Sequence, residues 1–175
     1  GKVGNVTVRF VSPLRLERPP ALKTGNQRYL NADCFPFDHF LRRLFQRLFM
    51  LEHGRYPDKE EIAALCPPVG EPVPTVVEAA GLWLDVPIDG PTARRDGTRP
   101  KGYTLGGFLG TVAFDRVPAD WVSALVYGRF LHVGESTAYG FGRYLFCAEE
   151  IVDVERFTPA VSMLDRIANV DRLSV

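Results

Sequence analysis

The stretch FDHFLRRLFQRLFMLEH, residues 37–53, decides how the chain is read. Phe37, Phe40, Leu41, Leu44, Phe45, Leu48 and Phe49 recur every third or fourth position, which places them on one stripe of an amphipathic α-helix. Pro36 suits a first helical position, Asp38 suits the positive end of the helix dipole, and Gly54 stops the helix. Upstream the period is different. VTVRFV at residues 6–11 alternates apolar and polar and is rich in β-branched side chains, the pattern of a half-buried strand. Ser12-Pro13 interrupts it, Leu14-Arg15-Leu16 resumes it, and residues 17–36 are irregular, broken by Pro19-Pro20 and Gly25-Asn26.

Downstream, a short acidic helix is expected around Asp58–Leu65, ended by Cys66-Pro67-Pro68, with a proline-rich loop over residues 66–74. Val76–Val86 reads as a strand, with Leu82, Leu84 and Val86 on one face and Trp83 on the other. Residues 89–104 are polar, basic and rich in glycine and proline, an exposed loop. Phe108–Phe114 reads as a strand entered through Gly106-Gly107. Pro118 starts a helix with Val122, Leu125, Val126 and Phe130 as its buried stripe, and Tyr139–Ala148 reads as the last strand. The order β, α, β, β, α, β is that of an α+β ferredoxin-like fold of the kind seen in RRM domains. Such a fold is an antiparallel sheet with two helices on one face and the other face open, a recurrent RNA-binding platform. Residues 1–150 are expected to form this domain. Residues 151–175 form a helical tail or linker to a further domain, with Val161, Leu164, Ile167 and Ala168 on one side.

Composition bounds the function. With 46% hydrophobic and 24% charged residues, a disordered polyelectrolyte is excluded, and no apolar run approaches the roughly 18 residues of a spanning helix. No apolar region follows Gly1-Lys2-Val3-Gly4, so the opening does not read as a signal peptide. Three scattered cysteines, Cys34, Cys66 and Cys147, argue against a disulfide framework and for the cytoplasm. The 21 basic side chains balance 21 acidic ones, but unevenly. Net charge is +5 over residues 1–60, −5 over 61–90, +3 over 91–145 and −3 over 146–175, so a basic face is compatible with neutrality.

The segment LHVGESTAYGFGRY, residues 131–144, holds Gly134, Gly140 and Gly142 between a helix and a strand. Such a turn lets a phosphate backbone approach main-chain N–H groups, with Thr137, Tyr139 and Arg143 as further donors. A tight turn with glycine bulges is the commoner reading of the same residues. It is neither a dinucleotide fingerprint nor a nucleophile elbow, and no nucleotide-binding P-loop occurs elsewhere.

This stretch, together with LGGFLG at residues 105–110, resembles the C-terminal half of CRISPR repeat-processing endoribonucleases of the RAMP superfamily. VTVRFVSPLRL and FDHFLRRLFQRLFMLEHG resemble that half's first strand and helix, and Arg94, Arg95, Arg99 and Lys101 resemble its basic hairpin. The resemblance covers roughly residues 5–148 and implies tandem ferredoxin-like folds. It also implies metal-independent cleavage of CRISPR precursor RNA within each repeat. In that reaction a 2′-hydroxyl attacks the adjacent phosphodiester, leaving a 2′,3′-cyclic phosphate and a 5′-hydroxyl. No cofactor is implied. The family commonly uses a histidine of the N-terminal half, which this chain is expected to lack, so the resemblance implies RNA binding more directly than cleavage.

Within this sequence, His39 is the best candidate for a catalytic base or acid, because Arg42, Arg43 and Gln46 share its helix face. A solvated basic face is the commoner reading. His53 suits a helix C-terminus and His132 a hydrogen-bonded structural role. The expected RNA contacts are Arg42, Arg43, Arg94, Arg95, Arg99, Lys101, Gly134, Thr137, Tyr139, Gly140, Gly142 and Arg143. No metal-ligand spacing is present, and the cysteines read as buried or semi-buried apolar residues. Trp83 and Trp121 read as core, whereas Tyr103, Tyr139 and Phe141 sit in contexts where bases could stack.

Two other readings keep the fold. The chain could be a non-catalytic RAMP module of a larger CRISPR complex, joined to or associated with a reverse transcriptase, an integrase or effector subunits. LDRIANVDRL in the tail resembles the lead-in of a CRISPR-linked reverse transcriptase. A small-molecule-binding module without RNA is favoured only where no basic surface forms.

Overall fold

A computed structural model describes residues 3–66, 73–88 and 102–148. The elements are β1 (Val3–Phe10), α1 (Phe37–His53), α2 (Lys59–Leu65), β2 (Thr75–Ile88), β3 (Tyr103–Pro118), α3 (Ala119–Gly128) and β4 (Tyr144–Ala148). The strands form one antiparallel sheet in the order β2-β3-β1-β4. The connections between strands that are not neighbours, β1 to β2 and β3 to β4, both pass through helices. This is the ferredoxin-like arrangement the alternation predicts.

All seven apolar residues of the α1 stripe are buried. Pro36 is the N-cap rather than the first helical residue, and Gly54 takes a left-handed conformation, φ 67°, that ends the helix. The α1 stripe meets the inward residues of β1, Val6, Val8 and Phe10, and Phe10 is an aromatic hub. Its ring lies 5.7 Å from Phe35, 5.9 Å from Phe40, 6.0 Å from Phe108 and 5.9 Å from Tyr144. Edge-on and tilted pairs of this kind fix ring orientation as well as burying area. α3 closes the layer. The Tyr144 hydroxyl donates to the Leu125 carbonyl at 2.6 Å, and Trp121 packs edge-on against Phe45 at 5.6 Å.

Several expectations are corrected. Phe130 is 68% exposed, because α3 ends at Gly128, two residues before it. The buried stripe is Trp121, Ala124 and Leu125, with Val122 packed at its margin. β3 starts at Tyr103, so Gly106 and Gly107 lie inside the strand. A Cβ at Gly107 would crowd Pro13 and the Leu14 backbone, whose N–H and carbonyl both bond Phe108. β4 starts at Tyr144 rather than Tyr139, since Thr137–Tyr139 is a 3-10 turn and Gly140 and Gly142 both have positive φ. Phe141 is buried and offers no stacking surface, whereas Trp83 is 41% exposed and is not core. Cys66 is buried and its thiol is pushed up to about 11 by that burial, but Cys147 is exposed. Register puts Cys147 opposite Thr7, on the open face of the sheet.

That open face also carries Leu82, Leu109 and Leu145 with Arg9 among them.

Candidate nucleic-acid interface

The glycine-rich segment is folded back on residues 11–15. Gly142 N–H donates to the Pro13 carbonyl (2.9 Å), Glu135 N–H to the Arg15 carbonyl (2.7 Å) and Arg143 N–H to the Ser12 hydroxyl (2.9 Å). Gly134, Gly140 and Gly142 have φ of 94°, 82° and 79°, and His132 and Ser136 are left-handed as well. The His132 ring donates from Nδ1 to the Phe141 carbonyl at 3.0 Å, which makes it the structural histidine expected. Much of the loop's hydrogen-bonding capacity is thus spent on its own shape, as the tight-turn reading requires.

Between this loop and α1 lies a cleft of about 410 Å³. Arg43, Gln46 and Arg47 line it from the helix, Gly134, Glu135, Ser136 and Thr137 from the loop, with Leu16 and Tyr56 completing it. Arg43 donates to the Gln46 side-chain oxygen at 3.0 Å, and Arg47 reaches the Leu131 carbonyl at 3.3 Å. The cleft's carboxylate, Glu135, is paired with Arg15 at 3.5 Å. Two cations therefore face a wall of small polar residues, a surface suited to a phosphodiester.

Of the predicted residues, the fold brings Arg43, Gly134 and Thr137 to one cleft. Arg42 is exposed on α1 outside the cleft lining. Tyr139 donates to or accepts from the Tyr103 hydroxyl at 2.8 Å, which sets the start of β3 beside the loop. Arg94, Arg95, Arg99 and Lys101 lie outside the described residues. Arg47 was not among the predicted contacts, although its position four residues after Arg43 on the same face signals it. Arg15 and Glu135 could not be paired from sequence, being distant in the chain. Among the described residues no group of His, Cys, Asp or Glu is assembled that could hold a metal ion.

His39 stands one turn before Arg43, its Nε2 at 2.8 Å from the Glu17 carbonyl. A carbonyl only accepts, so Nε2 carries the proton and Nδ1 is the basic nitrogen. Burial holds its pKa below the ordinary value, outweighing the Glu17 hydrogen bond that raises it, while Arg43 lowers it further. The imidazole is therefore neutral at pH 7. The unfolded chain binds the extra proton more readily, so this contribution is present above about pH 6.5 and lost as pH falls toward the folded-state value. Denaturant unfolding at about pH 7.5 and about pH 5.5 should show a loss of stability in acid that His39→Gln reduces. An unchanged pH dependence in that variant would place the titrating group elsewhere.

A family profile described as CRISPR-associated endoribonuclease Cas6 matches residues 8–144. The chain belongs to the Cas6 family. No curated protein matches it. Among solved structures it is similar to part of a chain in a partial Cas6-RT-Cas1–Cas2 complex, with TM-score 0.55 and 18% identity, covering 87% of this chain and 24% of that one. It is also similar to Cas6 of Thermus thermophilus, with TM-score 0.45 and 17% identity, covering 84% of this chain and 55% of that one. This Cas6-family chain thus spans 24% of the first of these chains and 55% of the second.

Proposed function

We propose that this chain is the RNA-binding ferredoxin-like domain of a CRISPR precursor-RNA processing endoribonuclease, and that the cleft between α1 and the glycine-rich loop holds the repeat backbone. The observation that carries this reading is the meeting of Arg43 and Arg47 with Gly134–Thr137 in one concave site. In the reaction, the 2′-hydroxyl oxygen bonds to phosphorus while the bond to the 5′ oxygen breaks. A base removes the hydroxyl proton and an acid protonates the leaving oxygen. Neutral His39, basic at Nδ1, has the protonation state of a base, and Arg43 beside it is a cation for the developing charge. In this reading residues 1–150 are the domain, residues 151–175 are a tail or a linker to a further one, and the protein acts in the cytoplasm. No helix among the described residues is long and apolar enough to cross a membrane.

A second reading, a non-catalytic module joined to or assembled with a reverse transcriptase and integrase, is favoured by the likeness to part of the Cas6-RT-Cas1–Cas2 complex. One experiment separates them. Repeat RNA from the parent genome's CRISPR array is incubated with the chain in EDTA, binding is measured, and the product ends are analysed. Cyclic-phosphate ends that vanish in His39→Ala support cleavage by this chain. RNA that is bound but intact supports the module, and RNA that does not bind sinks the RNA-binding reading.

A further inference from the structure

We propose that Trp83 is a stacking site for an RNA base, at the outer end of an arginine–tyrosine–tryptophan succession beside the cleft; this rests on the RNA-binding reading above. Trp83 lies mid-strand in β2, and its indole covers Gly106 of β3, where a Cβ would collide with the ring. Its Nε1 donates to Asp85 at 2.9 Å, so the indole's polar atom is already satisfied. The residue nevertheless keeps 41% of its surface exposed. Tyr29 sits 5.7 Å from the indole at 33°. The Arg15 guanidinium lies 4.1 Å above the Tyr29 ring and Arg28 5.5 Å from it. Arg15 is fixed by the Gly106 carbonyl at 2.8 Å and by the Tyr29 hydroxyl.

Arg15 also joins this group to the cleft, because the same guanidinium pairs with Glu135 on the cleft wall. A strand whose phosphates lie against Arg43 and Arg47 would pass Arg15 and meet the exposed indole. A core tryptophan would not be exposed to this degree, and a hydrogen-bonding site would not have its N–H occupied. A preset, flat aromatic surface, with the Asp85 carboxylate on its N–H edge and Tyr29 between it and the two guanidinium groups, fits a base of any identity, because every base has a π-face.

The test uses the chain's two tryptophans. Trp121 is 9% exposed and packed on Phe45, so a bound base reports through Trp83. The same labelled repeat RNA is titrated against the native chain, Trp83→Phe and Trp83→Ala, reading RNA anisotropy and protein emission together. Quenching in the native chain that is absent from Trp83→Phe is expected. Affinity should be near native in Trp83→Phe and about tenfold weaker in Trp83→Ala. RNA that binds the native chain and Trp83→Ala equally, without quenching, overturns the stacking site and leaves the RNA reading standing. RNA that binds none of the three overturns both.

Discussion

Gly142→Ala is expected to destabilise the fold by more than about 3 kcal/mol, and Gly140→Ala by only about 1–2 kcal/mol. Both glycines have positive φ, 79° and 82°, so both substitutions carry the strain of an L side chain in the left-handed region. They differ in what the new methyl meets. At Gly140 there is nothing within 4 Å. At Gly142 the methyl would fall on the Val133 carbonyl oxygen and 2.8 Å from the Val133 carbonyl carbon and amide nitrogen. That backbone cannot withdraw cheaply, because Val133 is fully buried and its N–H donates to the Gly142 carbonyl at 3.0 Å. Moving Gly142 instead breaks its bond to Pro13 and unseats the loop. Denaturant unfolding of the two variants measures the difference, and equal losses would show that the loop is softer than this packing implies. The contrast also divides the glycine motif. Gly134 and Gly142 are small because protein backbone passes close to them, whereas Gly140 is kept by its backbone conformation alone, with open space around it.

What the sequence makes legible follows from how local the cause is. The α1 stripe is a matter of spacing on one helix, and all seven residues are where the spacing puts them. The order of helices and strands along the chain is equally readable, because alternation and breakers are local. Trp83 is misread because its exposure depends on partners far off in sequence, Gly106 across the sheet and Tyr29 from an irregular segment. Phe130 is misread because the helical period continues past the point where the helix stops. For the site, Arg43 and the glycine segment are visible as separate features. Their convergence is not visible, because residues 11–15 make it, by accepting the loop's N–H groups. His39 shows its arginine neighbours in the sequence, yet the Glu17 carbonyl that fixes its tautomer comes from the irregular stretch before the helix.

Arg43→Glu combined with Arg47→Glu is expected to weaken repeat-RNA binding by about 100-fold near physiological salt, roughly tenfold per arginine. Each change removes a cation from the cleft and adds a repulsive carboxylate facing the same phosphates. Arg42→Glu alters the charge of the same helix by the same amount per substitution, but Arg42, exposed like Arg43, does not line the cleft, so a loss of only a few-fold is expected. Arg47 is half-buried and holds the Leu131 carbonyl, so melting curves must accompany it, and Arg47→Gln serves where the glutamate unfolds the chain. Binding measured across a salt series gives the second reading of the same idea. The slope of log affinity against log salt should flatten by roughly 0.7 for each phosphate that the double variant no longer neutralises. Should Arg42→Glu and Arg43→Glu weaken binding equally, bulk charge on α1 would be responsible and the cleft assignment would fall. The chain's composition argues against that outcome. With 21 basic and 21 acidic side chains the chain carries no net charge to draw RNA in. Affinity must come from where a few arginines are held, and Arg43 and Arg47 are held facing the glycine-rich loop.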